Sequence, residues 1–116
     1  MVDMRNSISA GKGKYKVWLR KMKIGQDIVL FLGGGERAHM GSIVLCEPGK
    51  KPKILNRLTA QGRTHKDYLV ALPIAKKAAK KWKRPVLCVA GIHVENASKK
   101  EIKMLVRNCK IIERRL

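Results

Sequence analysis

Residues 90–98, Ala90-Gly91-Ile92-His93-Val94-Glu95-Asn96-Ala97-Ser98, end an apolar run, carry a histidine and a carboxylate two positions apart, and pass into helix-start chemistry. In a strand, positions i and i+2 share a face, so His93 and Glu95 can address one object. Asn96 or Ser98 then caps a helix, and Glu101, three residues after Ser98, completes a capping box. The stretch is a strand exit leading into a helix N-terminus, with a polar pair at the junction.

Reading backwards, Val86 to Val94 is almost continuously apolar and predicts a strand covered on both faces. Arg84-Pro85 ends the helix before it. That helix opens within Gly62-Arg63-Thr64-His65-Lys66-Asp67, with Thr64 as N-cap and Asp67 as the third helical residue. Leu69, Leu72, Ala75, Ala79 and Trp82 make its apolar stripe, while Lys76, Lys77, Lys80, Lys81 and Lys83 line the other side. Pro73 predicts a kink or a frayed first turn. Reading forwards, the last helix runs from Ser98 to about Glu113, with Ile102, Leu105, Val106, Cys109 and Ile112 on one stripe.

The first half reads as four strands. From Lys14, the residues Tyr15, Val17 and Leu19 alternate with Lys14, Lys16, Trp18 and Arg20. Gly25-Gln26 turns the chain into Asp27–Leu32, and Gly33-Gly34-Gly35 then breaks that strand, either as a loop or as backbone that approaches a ligand closely. Strands over His39–Cys46 and Lys53–Gln61 follow. Residues 1–13 predict a flexible basic tail, and 14–116 one α+β domain of order ββββαβα. Its sheet is expected to be mixed but mostly antiparallel, with two helices packed on one face.

Composition narrows the function. A net charge of +19, from 27 Lys and Arg against 8 acids, requires either a broadly solvated basic surface or an anionic partner. Five aromatic residues, scattered through the chain, do not give the basic–aromatic interleaving of single-strand nucleic-acid readers. Cys46, Cys88 and Cys109 lack a C-x-x-C pair and read as buried, reduced thiols of a cytoplasmic protein. No signal peptide or membrane span is visible.

Topology gives a reason for the three histidines to converge. If strands one to four form a meander and the fifth joins the sheet, His39, His65 and His93 reach one rim, with the triple glycine and both helix N-termini. Three neutral imidazoles, with Glu95 nearby, suit a divalent transition metal; isolated loop and cap histidines are the plainer alternative.

Three segments carry a family resemblance: Gly35-Glu36-Arg37-Ala38-His39-Met40-Gly41-Ser42-Ile43-Val44-Leu45, Gly62-Arg63-Thr64-His65-Lys66-Asp67 and Gly91-Ile92-His93-Val94-Glu95-Asn96-Ala97. The chain resembles, from about Ile28 to its C-terminus, the prenylated-flavin chaperone family typified by the small accessory protein of gallate decarboxylase. The extra lysines and Pro73 depart from that pattern.

The resemblance implies a non-catalytic protein that binds prenylated flavin mononucleotide and assists its delivery to a prenylated-flavin-dependent decarboxylase. The flavin prenyltransferase is a further candidate partner, and an open sheet edge leaves room for a homodimer. It also implies a metal on the cofactor phosphate held by His39, His65 and His93, with Glu95 and Asn96 as polar neighbours. Gly35, Arg37, Arg63 and Lys66 complete the expected cofactor-binding set, the three cations through charge-assisted hydrogen bonds. Two other classes stay open: a nucleic-acid binder using the Lys76–Lys83 face, and a metal-dependent hydrolase with Glu95 as general base.

Overall fold

The computed structural model describes residues 3–116, with side chains from Ser7 onward. Strand β1 (Asp3–Ala10) leads through a 3-10 turn (Gly13–Tyr15) to β2 (Val17–Ile24), β3 (Asp27–Gly35), β4 (Arg37–Cys46) and β5 (Lys53–Asn56). Helix α1 (Tyr68–Trp82), strand β6 (Val86–His93) and helix α2 (Lys99–Arg115) complete the chain. The six strands form one sheet in the order β1-β2-β3-β6-β4-β5.

The α+β class, the mixed sheet and the two helices agree with the sequence reading, but the meander does not form. β6 inserts between β3, to which it is parallel, and β4, to which it is antiparallel. Its apolar run suits a central position, although cover on both faces is not found among the described residues: Val86, Cys88 and Ala90 are buried beneath the helices, while Leu87 and Val89 lie half-buried on the opposite face. The expected tail over 1–13 is corrected over its described part. Asp3–Ala10 is an edge strand paired antiparallel to β2, with Ile8 and Ala10 packed against the core. Residues 1 and 2 lie outside the described residues.

The triple glycine is also strand rather than break, pairing Gly33 with Gly91, Gly34 with Ile92 and Gly35 with His93. Side chains there have no room. Gly33 lies under the Trp18 ring and Gly34 against the Lys16 carbonyl. The fourth expected strand stops at Asn56, and residues 57–67 turn back through a Leu58–Thr64 bridge.

One face of the sheet carries both helices. Val17, Leu19, Leu30, Leu32, Val44, Val86 and Cys88 point toward them and are almost fully buried. Against them α1 presents Ile74 together with Ala71, Ala75, Ala78 and Ala79, alanines that let helix and sheet approach closely. Leu69, expected in that stripe, is exposed. α1 continues through Pro73 and ends at Lys83, whose left-handed backbone precedes Pro85. α2 begins with the capping box read from the sequence: the Glu101 N–H donates to Ser98 Oγ and the Ser98 N–H to Glu101 Oε1.

Candidate functional site

The rim is shaped by a bulge. β4 pairs with β6 at Arg37–His93 and Ala38–Ile92 and resumes at Ser42–Ala90, so His39, Met40 and Gly41 stand opposite Gly91 alone. The extra length on one strand bends it and re-aims its side chains. Only glycine fits at 91, because a Cβ would overlap the His39 carbonyl. At Gly41 a Cβ would overlap the Asp67 carboxylate, which would have to shift from its place.

Asp67 directly precedes α1, in the N-cap position, yet its side chain does not cap the helix. Its Oδ1 instead accepts the Ile92 N–H at 3.0 Å, fastening the helix start to β6 beside the bulge. The helix is closed by Ser42, a fully buried residue whose Oγ accepts the Tyr68 N–H at 3.1 Å and donates to Asn56 Oδ1 at 2.7 Å. Thr64 is therefore not the N-cap. The expectation of an open N-terminus is corrected at α1, where Ser42 Oγ takes the Tyr68 N–H and the Lys66 and Asp67 carbonyls take those of Leu69 and Val70; at α2, Ser98 Oγ takes the Glu101 N–H alone.

The three histidines converge, although not by the route a meander would give. β6 takes its place between β3 and β4 while still ending at the rim where β4 begins. The ring centroids of His39 and His65 lie 5.1 Å apart, and those of His39 and His93 lie 6.1 Å apart. Burial pushes the His39 pKa down, so its ring is neutral near pH 7, and its Nδ1 is enclosed with no partner among the described residues. His65 Nδ1 lies 2.6 Å from the Arg57 carbonyl and so donates to it, which leaves Nε2 as the acceptor. His93 Nε2 meets Glu95 Oε2 at 2.9 Å, and this hydrogen bond holds the Glu95 carboxyl below its ordinary range.

These groups border a cleft of about 730 Å³ between the two helices. Val70 of α1, Ile102, Leu105 and Val106 of α2, and Ile92 and Val94 give it apolar walls. Arg37, Arg57, Lys66, Asp67, Glu95 and the three histidines give it a polar end. Of the residues singled out from sequence, Gly35, Arg63 and Asn96 do not line it. Gly35 uses a φ of +75° to pass the His93 carbonyl, Asn96 takes a left-handed turn at φ +49°, and the Arg63 N–H donates to Thr59 Oγ1. Asp67 and Arg57 were not recognised as site residues. Their signal lay in Gly41 and Gly91, glycines inside strand patterns that mark a bulge or close backbone approach.

The imidazoles fit a divalent transition metal in kind. In placement they do not: among the described residues, no three His, Cys, Asp or Glu side chains are disposed to hold one ion. The expected metal centre is not formed in this arrangement, in which His93 Nε2 is turned to Glu95.

Comparison with known proteins gives a similar curated protein and a likeness of fold. Protein LpdD of Lactiplantibacillus plantarum is 28% identical over 79 residues, which cover 68% of this chain and 58% of that protein, less than two thirds of its length. The fold resembles a structure described as a novel chaperone complex for yeast 20S proteasome assembly, with a TM-score of 0.57 and 16% identity. That likeness covers 94% of this chain and 89% of the other, and is one of fold alone. Residues 11–116 match the prenylated flavin chaperone LpdD-like domain, so the chain belongs to that family.

Proposed function

We propose that the cleft receives prenylated flavin mononucleotide and that the chain passes it to a prenylated-flavin-dependent decarboxylase, with the flavin prenyltransferase as its source. The observation that carries this reading is the segregation of the cleft. Its walls between α1 and α2 are apolar, and its rim gathers three imidazoles with Arg37 and Lys66. A ring system seated on Val70, Leu105 and Val106 would leave its phosphate chain beside Arg37 and Lys66 at the rim, and the volume suits a ligand of that size. A divalent metal would be held by His39, His65 and His93 only in a rearranged rim, and would there supply Lewis-acid chemistry. His93 must first leave Glu95.

The setting we propose is cytoplasmic. Three buried free thiols accord with it, and among the described residues no helix is long and apolar enough to cross a membrane. The nucleic-acid reading loses part of its basis. Lys77 Nζ donates to the Glu113 carbonyl at 2.6 Å and Lys81 Nζ to the Leu116 carbonyl at 3.0 Å, so two of the stripe's lysines fasten the end of α2.

Titration with FMN and with prenylated FMN, followed by fluorescence and calorimetry, tests the cofactor. Binding in the wild type and its loss in Leu105→Arg, with the fold intact by circular dichroism, supports the proposal. No binding of either flavin to folded wild type refutes it. Metal content of tag-free wild type and His93→Ala, by plasma mass spectrometry, decides the rim: about one ion per chain lost in the variant assigns the histidines to a metal. Flavin binding without metal assigns the phosphate to Arg37 and Lys66.

A further inference from the structure

Both helices lie on one face of the sheet, and among the described residues nothing packs on the other. Strand register places Phe31, Val89, Ile43 and Leu55 in one transverse row across β3, β6, β4 and β5 of that outer face. The next row repeats it with Val29, Leu87 and Leu45. No charged side chain stands between the ends of these rows, where Arg20 and Lys53 sit. A bare antiparallel face ordinarily alternates to polar residues on its solvent side. This one stays apolar in a chain that is 30% charged.

We propose that this face is a homodimer interface, formed by a second copy of the chain packed sheet to sheet. Charge selects the occupant. An acidic partner would be met by cations, and the centre of this face has none. Two chains of +19 each can approach only where neither presents its lysines, and an isologous interface sets the same patch against itself. Area permits it. The two-layer body measures 39 × 31 × 24 Å, so a broad face has room for the roughly 800 Å² per partner of a standard interface.

A second observation lies at the edge of the same face. The Arg20 guanidinium stacks 4.2 Å over the Trp18 ring, and its Nε is enclosed without an acceptor among the described residues. An opposing chain's hydroxyl or carbonyl satisfies such a donor. Sheets packed in this way stand about 10 Å apart. The flavin cleft, on the helix side, remains open in the dimer.

Sedimentation velocity of the full chain up to about 100 µM tests the proposal, since an interface of this size holds at or below that concentration. The expected result is a dimer that tightens as salt rises, because the charges at its perimeter repel and are screened. Leu55→Glu should weaken it on the order of a hundredfold. Leu55 is 65% exposed in the single chain, so this substitution spares the fold. Phe31→Glu, checked for folding by circular dichroism, should do the same. A wild type that stays monomeric, a dimer that loosens with salt, or a dimer untouched in both folded variants overturns the proposal.

Discussion

The carbonyl of His39 occupies the space that a side chain at Gly91 would need. This contact lets three residues of β4 bulge over a single residue of β6, and His39 stands at the rim because of it. Gly91→Ala should therefore cost about 1–3 kcal/mol, as overpacking does, and displace His39. A urea midpoint that falls at constant m-value, together with weakened flavin binding, is the expected result. An unchanged midpoint would mean that the bulge relaxes without cost.

Asp67 joins the start of α1 to β6 through the Ile92 N–H. Asp67→Ala leaves that donor without its partner in a partly buried site, which should cost about 1–3 kcal/mol. Asp67→Asn keeps an oxygen acceptor and should recover most of the loss. Equal denaturation midpoints for the two variants would show that the hydrogen bond is not what matters there.

Glu101 predicts an acid-dependent step. The Ser98 N–H, the Tyr15 hydroxyl and the Lys14 ammonium all engage its carboxylate, whose pKa is lowered from 4.5 to about 2. The folded protein therefore binds this proton more weakly than the unfolded chain does. Its contribution to stability is fully present above pH 4.5 and is lost as pH falls toward about 2. Melting temperature followed over that window should drop less in Glu101→Gln than in the wild type. Parallel curves would count against the capping box as the acid-sensitive element.

Cys46, Cys88 and Cys109 are free and buried, and burial pushes the last two thiols up to about 12. Relative to the ordinary thiol at 9.0, their thiolate fraction near neutrality falls about a thousandfold. A thiol reagent should label no cysteine in the native protein and all three after denaturation. Rapid native labelling of Cys88 would contradict its place in the core.

What the sequence revealed was local, and what it concealed was tertiary. Ser98 and Glu101 announce their capping box because both partners lie within one helical turn. The convergence of His39, His65 and His93 was legible because it depends only on strand directions. Strand β1 was not legible: among its described side chains only Ile8 and Ala10 pack on the core, too few to show alternation. Asp67 looked like a helix-start residue in isolation, and its actual partner, the Ile92 N–H, lies 25 positions away. The glycines at 33 and 34 suggested freedom, whereas the Trp18 ring and the Lys16 carbonyl are what leave no space for a side chain there.

The position of β6 has a consequence for how the chain assembles. β1–β3 and β4–β5 are two separate local ribbons, and only β6 bonds to both. During synthesis, each ribbon can form as it emerges, but the sheet has a gap at its centre until residues 86–93 are available to fill it. The three histidines belong to β4, to the loop after β5 and to β6, so the rim comes into being only with that last insertion. A chain interrupted before Val86 would present two unsatisfied strand edges and no place for a ligand. The long sequence separation between β3 and β6 raises the loop-closure cost of this step. Capacity to hold a cofactor would then appear together with completion of the fold.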